Sequence, residues 1–385
     1  MDNTRVKSAI RDANISTPYY LIDIPRLRAN LEILADVRRR SGAKILLAQK
    51  AYSIYDTYPL IAEYLDGTTA SGLYEARLGK EEFGGETHVF SPAFIESEFD
   101  ELLTYVDDIV FNSPSQVKKY GERARRAGKS IGLRINPEFS TQEGHDIYDP
   151  CAVGSRLGTT LANFDESILP MLDGLHMHTL CEQNSDDLVA TFKVFEEKFG
   201  RYLHGMRWLN LGGGHHITRA DYDIEALVDL VRYIRATYGV EVYLEPGEGV
   251  VLNAGYLVSR VVETMHNGMD IALLDTSAAC HMPDVIEMPY RPPVMDSDMP
   301  NIGMHTYRFG GPTCLAGDII GDYSFDRELH IGDTIIFEDM ALYTMVKTNT
   351  FNGMPLPKIA RLNEDNTIDI IRVFDYSDFK MRLGK

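Results

Sequence analysis

Lys50 is the first residue of this sequence whose type and position could do chemistry. It follows a short apolar run at residues 44–48. A lysine amine that is shielded from water can form a Schiff base with a carbonyl group. Most lysines in such positions are solvated charges, so Lys50 indicates this chemistry only in combination with other groups.

Two histidines, His176 and His178, close a later apolar run. Because side chains alternate along a strand, both imidazoles point to the same side. One interpretation is a core histidine followed by one at the mouth of a pocket. A second is a zinc site, although no acidic residue with an obvious ligand spacing accompanies them or His215 and His216. A third is that His178 offers a flat ring against which an aromatic cofactor stacks.

A glycine triplet and a glutamate complete the set. Gly212, Gly213 and Gly214 allow backbone N–H groups to approach an anion, although such a triplet can also be a simple turn. Glu245 ends a further run, where a carboxylate needs a cation or a protonated ring nitrogen as its partner. Together these groups predict pyridoxal phosphate as the cofactor. That cofactor needs a lysine to form an imine, a loop to bind its phosphate, a carboxylate to pair with its pyridinium nitrogen and an imidazole to stack on its ring.

These residues require a parallel sheet to position them, and the sequence predicts one. Short apolar runs alternate with amphipathic helical stretches from residue 44 to residue 246. The eight predicted strands are 44–48, 68–71, 88–91, 109–112, 131–135, 175–178, 208–211 and 242–245. Helices are predicted at 25–40, 73–83 and 222–238. Eight strands over about 200 residues predict an α/β fold, a (β/α)8 TIM-type barrel with its site at the carboxyl ends of the strands.

A second, β-rich domain is predicted after the barrel. Its strand-like runs are 250–265, 270–275, 334–337, 341–346 and 368–373. Tyr19 to Ile22 also resemble a strand, and we expect them to pair with this sheet. The predicted domains are therefore a barrel at 25–249 and a β domain formed by 1–24 and 250–385. The stretch 136–163 lacks a clear period and is predicted to be a functional loop.

The composition restricts the classes of function. The 385 residues carry 57 acidic and 38 basic side chains, a formal net charge of −19. This charge argues against nucleic-acid binding, which needs clustered Lys and Arg. We expect no membrane partner, because no apolar run approaches the length of a membrane span and the N-terminus lacks the apolar core of a signal peptide. Four cysteines without C-x-x-C spacing predict neither a disulfide framework nor a structural metal, and the expected location is the reducing cytoplasm.

The chain resembles the barrel-type pyridoxal-phosphate decarboxylases, which share the fold of alanine racemase. Besides the residues above, the resemblance rests on Ser155-Arg156-Leu157-Gly158, Gly311-Pro312-Thr313-Cys314, the segment from Asp339 to Thr344, and Phe351-Asn352-Gly353. It spans nearly the whole chain. The fold that it implies is a barrel followed by a C-terminal β domain.

The same resemblance implies a role for each site residue. Lys50 would hold the cofactor, His178 would stack on its ring, and Glu245 would pair with the pyridinium nitrogen. Gly212, Gly213 and Gly214 would hold its phosphate together with Tyr343. Cys314 would enter from a partner subunit and help to deliver a proton after decarboxylation. The active unit would then be a homodimer with shared sites.

Two positions differ from the diaminopimelate and ornithine decarboxylases of this family. Those enzymes usually have Arg after Glu-Pro-Gly, where this chain has Glu248, and commonly an acidic residue after the cysteine, where it has Leu315. A carboxylate near a phosphate is unfavourable unless a positive group of the substrate neutralises it. With residues 47–53 and 280–285, these differences resemble the carboxynorspermidine/carboxyspermidine branch. That resemblance implies a carboxylated polyamine as substrate, with Glu248 and Asp284 binding its amines.

Other functions remain open at this point. A diaminopimelate decarboxylase or an amino-acid racemase would use the same pocket. A zinc hydrolase would use His176 and His178 as ligands. A non-catalytic carrier of pyridoxal phosphate is disfavoured by the β domain that carries Cys314.

Overall fold

The computed structural model describes residues 3–142 and 146–384, and the chain divides into two units. The first contains Ala29–Val250, and the second combines Met1–Arg28 with Val251–Lys385. The sequence prediction put the boundaries after residues 24 and 249.

The described residues form sixteen strands, numbered here in chain order. They are β1 Tyr19–Asp23, β2 Lys44–Ala48, β3 Gly67–Ala70, β4 Glu86–Phe90, β5 Asp108–Phe111, β6 Ser130–Ile135, β7 Gly174–Met177, β8 Trp208–Asn210, β9 Glu241–Leu244, β10 Gly255–His266, β11 Asp270–Leu274, β12 His305–Gly310, β13 Ile319–Phe325, β14 Thr334–Glu338, β15 Lys358–Leu362 and β16 Ile368–Arg372.

The α-helices, also numbered in chain order, are α1 Asn3–Ala13, α2 Ile24–Ser41, α3 Tyr58–Ala62, α4 Leu73–Leu78, α5 Phe99–Tyr105, α6 Pro114–Arg126, α7 Ser185–Leu203, α8 Ile224–Tyr238, α9 Glu248–Val251, α10 Ala278–His281, α11 Asp284–Glu287 and α12 Tyr376–Met381. A π-helical turn at Gly79–Phe83 extends α4, and 3-10 turns lie at Tyr55–Thr57, Asp146–Tyr148, Leu161–Asn163, Glu166–Met171, Met345–Lys347 and Phe351–Gly353. Within the described ranges, no helix is both long and apolar enough to cross a membrane.

Strands β2 to β9 form a closed barrel in which all neighbours are parallel. β2 closes the barrel on β9 by pairing Ile45 with Leu244. All eight predicted strands are confirmed, each within two residues of its predicted bounds. Because the strands are parallel, their carboxyl ends lie at one mouth, and the residues that follow β2, β7, β8 and β9 meet there.

The barrel interior is shaped by the single tryptophan of the chain, Trp208 on β8. Its buried indole lies over Gly132 of β6 and Gly174 of β7, where an added Cβ would overlap the ring. The indole Nε1 donates to Ser130 Oγ at 2.8 Å. The two glycines thus make room for one large side chain across neighbouring strands.

The predicted loop at 136–163 includes residues 143–145, which lie outside the described residues. In its described part, Thr159 forms an isolated parallel bridge with Ile135 at the end of β6. The loop therefore returns to the mouth of the barrel.

The second unit is built on an eight-stranded sheet with the order β13-β12-β11-β10-β1-β15-β16, in which β14 also pairs with β10. The predicted strand at Tyr19 is confirmed: β1 lies between β10, which is antiparallel to it, and β15, which is parallel. Buried apolar side chains such as Leu257, Phe309 and Phe337 form the core on one face of the sheet.

The strand predicted at 341–346 is wrong. Asp339 and Tyr343 have positive φ values of 57° and 52°, so the chain turns twice and then enters the 3-10 turn Met345–Lys347. The apolar residues Met340 and Ala341 are buried, which explains why the segment resembles a strand in sequence. Strands β12, β13 and β15 were not predicted, because several of their side chains are partly exposed and the apolar pattern is broken.

Candidate active site

Lys50 follows β2 at the mouth of the barrel. Its side chain reaches solvent, yet it lies in a recess surrounded by protein. Burial in this recess and the nearby Arg134 guanidinium lower the pKa of the Lys50 amine, although Glu245 and Glu248 partly oppose this effect. The neutral, nucleophilic form of the amine is therefore more accessible than in an ordinary lysine.

Glu245 follows β9 and is buried. Asn210 Nδ2 donates to its Oε1 at 2.7 Å, and His176 Nε2 lies 3.3 Å from its Oε2. Burial raises the pKa of Glu245, but His176, Asn210 and His88 outweigh burial and lower it to about 2. The carboxylate is thus ionised at neutral pH and can accept a hydrogen bond from a protonated ring nitrogen. Asn210 was missed in the sequence, where its only signal is a polar residue inside an apolar strand.

His178 lies directly after β7. Its Nδ1 accepts a hydrogen bond from the Gly213 N–H at 3.2 Å, which fixes the orientation of the ring. Burial, Lys50 and Arg134 lower the pKa of His178 well below 6.5. At neutral pH it therefore presents an uncharged planar ring.

The glycine triplet is required by close approach of the backbone. An added Cβ at Gly213 or Gly214 would overlap the carbonyl oxygen of Glu245 or Leu180, and Gly214 has a φ of +81°. The Gly212 N–H donates to Asn210 Oδ1 at 2.8 Å, and the Gly213 N–H donates to His178 Nδ1. Among the described residues, the Gly214 N–H has no such partner, so Gly214 is the member of the triplet best able to donate to a phosphate.

Arg134 was not identified from the sequence, although an arginine inside the apolar run of β6 was a signal. It is buried, and its Nη2 donates to the carbonyl oxygen of His178 at 3.0 Å. Its guanidinium also lies 4.5 Å from the centre of the Phe90 ring. Burial lowers the pKa of Arg134 to about 10, which still leaves it charged at neutral pH. Arg134 thus places a positive charge beside Lys50 and supports the backbone of His178.

Glu248 has a histidine partner that the sequence did not reveal. His216 Nε2 lies 2.6 Å from Glu248 Oε2, and both side chains are largely buried. The sequence interpretation left the neutralisation of Glu248 to a positive group of the substrate. The structure shows instead that the protein supplies a partner of its own from the loop after β8.

Cys314 belongs to the second unit, where it is exposed on a loop before β13. Its backbone N–H donates to Asn352 Oδ1 at 3.0 Å. The buried carboxylate of Asp318 accepts hydrogen bonds from Thr313 Oγ1 at 2.6 Å and from Ser277 Oγ at 2.9 and 3.0 Å. Asp318 therefore ties the cysteine loop to α10, a role that was missed in the sequence because it depends on contacts with distant residues.

Asp284 and Tyr343 also lie in the second unit. Asp284 is buried and pairs with Lys347 Nζ, which also lies 3.0 Å from Glu287 Oε2. Lys347 Nζ lies 5.9 Å from the centre of the Tyr343 ring. Both predicted substrate carboxylates, Asp284 and Glu248, are thus held by a basic side chain of the protein.

The α10 helix ends with His281, which is fully buried and uncharged. Its Nδ1 accepts from the Ser277 N–H at 3.2 Å, and its Nε2 lies 3.0 Å from the Pro355 carbonyl oxygen, to which it donates. A second proton on Nδ1 would face the Ser277 donor. Burial is the main cause that lowers the pKa of His281 to about 4.

Two groups of side chains among the described residues have the spacing of metal ligands. The first is His176, His178 and Glu245, whose ligand atoms lie within 4.8 Å of one another; the second is Glu86, His88 and Asp108. The sequence interpretation found no acidic ligand for the two histidines, and the fold provides one in Glu245. By geometry alone, the mouth of the barrel could therefore accept a zinc ion or pyridoxal phosphate.

Comparison with known families separates these possibilities. A family model described as "Pyridoxal-dependent decarboxylase, C-terminal sheet domain" matches residues 19–341. This chain belongs to that family. The decarboxylase is 44% identical over 380 residues to the carboxynorspermidine/carboxyspermidine decarboxylase of Campylobacter jejuni, with 96% of this chain and 98% of the relative covered. It is 38% identical to the carboxyaminopropylagmatine decarboxylase of Synechocystis, with 97% of both chains covered.

A solved structure agrees with these relatives. The crystal structure of carboxynorspermidine decarboxylase from Campylobacter jejuni, complexed with norspermidine, superposes with a TM-score of 0.88 at 43% identity and covers 96% of this chain and 100% of that one. The predicted fold class, a barrel with a C-terminal β domain, is confirmed. Family membership favours pyridoxal phosphate over the zinc alternative.

Proposed function

We propose that this protein binds pyridoxal phosphate and decarboxylates carboxynorspermidine or carboxyspermidine to norspermidine or spermidine in the cytoplasm. The observation that carries the proposal is the barrel mouth, where a lysine amine of lowered pKa, an ionised carboxylate and a neutral imidazole converge. The names of the relatives that cover nearly the whole chain support the choice of substrate.

The donor set fits the cofactor. When bound, pyridoxal phosphate supplies a carbonyl that amines attack and an electron-withdrawing ring that stabilises the charge left as carbon dioxide departs. Lys50 would provide the amine that holds it, and Glu245 would accept the hydrogen bond of the ring nitrogen. His178 would cover one face of the ring. Gly214 and its two glycine neighbours, with Tyr343, would hold the phosphate.

Glu248 and Asp284 would bind the amines of the polyamine. Charge-assisted hydrogen bonds to carboxylates are about twice as strong as neutral ones, and two separated anions can place a long flexible cation. The net charge of −19 would also attract such a cation toward the protein. Since the Synechocystis relative is named for a different carboxylated amine, the length and end group of the substrate require a direct comparison.

Cys314 would act as the proton donor that completes the reaction, and we propose that it does so in the site of a partner subunit within a homodimer. This proposal rests on its exposed position on a loop that Asp318 and Asn352 hold in place. An ordered loop can present a thiol to another chain at a defined position.

The test is to reconstitute the purified protein with pyridoxal phosphate and to measure carbon dioxide and amine products. Carboxynorspermidine, carboxyspermidine, carboxyaminopropylagmatine and diaminopimelate are supplied at equal concentrations. We expect the highest kcat/KM with one of the first two. Preference for diaminopimelate, or racemisation without carbon dioxide release, would show the proposal to be wrong.

A lysine variant tests the attachment of the cofactor. Lys50→Ala should lose both the visible absorbance of the bound cofactor and turnover, because its amine is removed. The control Lys193→Ala changes an exposed lysine of α7 and should retain both. A Lys50→Ala protein that stays yellow and active would contradict the assignment.

A further inference from the structure

We propose that His216 positions the Glu248 carboxylate and tunes its charge, so that binding of a polyamine cation releases a proton from His216. This inference rests on the proposed function, in which Glu248 binds an amine of the substrate. It adds a second residue to substrate recognition and couples that recognition to pH.

The geometry fixes the pair in place. His216 lies on the loop after β8, and Glu248 is the first residue of α9, which follows β9. The His216 Nε2 and Glu248 Oε2 atoms are 2.6 Å apart, and the exposed fractions of the two side chains are 11% and 12%. The His216 N–H donates to the Gln183 carbonyl oxygen at 3.1 Å, and Thr218 Oγ1 donates to the Gly249 carbonyl oxygen at 2.6 Å. The first bond ties the backbone of His216 to the loop after β7, and the second ties the loop after β8 to α9, so the imidazole holds one carboxylate oxygen in a defined orientation.

The other oxygen of Glu248 remains available. Within the described part of the chain, Oε1 makes no hydrogen bond, and it is not among the fully buried atoms that lack a partner. A carboxylate has about four lone-pair sites, of which His216 uses one. An ammonium group can therefore bind Oε1 while His216 keeps Oε2.

The charged groups around His216 favour its protonated form in the free protein. Burial lowers the pKa of His216, but the hydrogen bond and charge of Glu248, with the charge of Glu182, outweigh burial and the opposing charge of Arg219. The pKa of His216 is therefore raised above its ordinary value of 6.5. The adjacent His215 is uncharged at neutral pH, since burial lowers its pKa to about 4.

A cation that arrives at Oε1 then meets a pair whose charges already cancel. Repulsion between the ammonium group and the imidazolium lowers the pKa of His216, so the proton leaves for the solvent. The proton lost is that on Nδ1, because the Nε2 hydrogen continues to bond Glu248 Oε2. Charge balances: one positive charge binds at Glu248 and one proton is released.

Binding should therefore tighten as the pH rises through the titration of His216. A primary aliphatic amine such as that of lysine has a pKa near 10, so the terminal amines of the ligand stay charged between about pH 5 and 8 while a histidine titrates there. A decrease of one in the pKa of His216 on binding corresponds to about a tenfold change in Kd across this range.

The test is calorimetric titration of the holoenzyme with norspermidine across this pH range, in two buffers that differ in heat of ionisation. The wild type should release protons on binding, and its Kd should fall about tenfold with rising pH. His216→Gln keeps an N–H donor near Oε2 but has no titrating charge. We expect its Kd to be independent of pH and, at the acidic end, about tenfold lower than that of the wild type.

The matched control is His266→Gln, which alters an exposed histidine paired with Asp270 at 2.7 Å and should bind as the wild type does. If His216→Gln weakened binding by the same factor at every pH, His216 would be only a structural residue and the inference would be wrong. If the wild type released carbon dioxide and bound norspermidine without proton release, the inference would fail and the proposed function would stand. If it did neither, both would fail.

Discussion

Asp318→Asn is a sharp test of how the second unit presents Cys314. The carboxylate of Asp318 is buried and accepts hydrogen bonds through both oxygens. Oδ1 accepts from the Ala279 N–H at 3.2 Å, and Oδ2 accepts from the N–H and the hydroxyl of Thr313 at 3.3 and 2.6 Å. Asparagine has the same shape but only one acceptor oxygen.

The cost follows from this count of donors. Whichever way the new amide is oriented, its NH2 group faces the backbone N–H of Ala279 or Thr313, which then has no acceptor. A buried donor without a partner costs about 1–3 kcal/mol, and the remaining bonds lose the contribution of the negative charge. We expect a loss of about 2–4 kcal/mol, which lowers the Tm of this unit by roughly 5–15 °C.

The loop that carries Cys314 should shift as well, because Thr313 directly precedes the cysteine. A displacement of about 1 Å at a reacting group can reduce turnover about 100-fold, so we expect kcat to fall about 10- to 100-fold with little change in KM. Thermal unfolding and steady-state kinetics measure the two effects. The control Asp322→Asn breaks the partly exposed ion pair between Asp322 of β13 and Arg308 of β12, which is worth at most about 1 kcal/mol. Equal Tm and kcat for the two variants would refute the reasoning.

Three further predictions address the substrate site, the barrel and the pH dependence. Glu248→Arg should raise the Kd of norspermidine more than about tenfold, because a charge-assisted bond is lost, and it should not weaken the binding of pyridoxal phosphate. The control Glu197→Arg, at an exposed position of α7, should weaken neither ligand, and equal weakening of both ligands by Glu248→Arg would contradict the assignment. Gly174→Ala should destabilise the barrel by about 3 kcal/mol, because the added methyl group overlaps the indole of Trp208. Gly205→Ala is the control, because a methyl group has room there. Fluorescence of the single tryptophan during urea unfolding measures the two stabilities, and equal unfolding midpoints for the two variants would refute the prediction. The pKa of His281 is about 4 in the folded protein and an ordinary 6.5 in the unfolded chain. As the pH falls, the unfolded chain therefore takes up the proton first, and the free energy of unfolding should decrease by about 3 kcal/mol from pH 6.5 to 4. His281→Gln should lack this decrease, and an unchanged pH slope in urea titrations would count against it.

The barrel could be predicted because its strands are largely buried on both faces and appear as short, mostly apolar runs at regular intervals. Lys50, His178 and Glu245 could be placed at the barrel mouth for the same reason, since each lies at the end of such a run or within two residues of it. The second unit was harder to predict. Its strands β12 and β13 contain exposed side chains, and the apolar segment at 341–346 turns because the backbone adopts positive φ at Tyr343.

The partners of the site residues could not be predicted, because no local pattern encodes them. His216 and Glu248 are 32 positions apart in sequence and meet only when β8 and β9 lie side by side. Asp318 acts through Ser277, which is 41 positions away. The charge of Glu248 was therefore visible in the sequence, whereas its pairing with His216 was not.

The position of β1 has a consequence for the order of folding. β1 is made before the barrel strands, yet its two partners in the sheet, β10 and β15, are made only after the whole barrel segment. Ala29–Val250 can fold through pairing of neighbouring parallel strands while both edges of β1 are still unpaired. The last strand pairings to form are then those that join β1 to β10 and β15. A chain released before β15 would leave a central strand exposed as an edge, which is a site of aggregation.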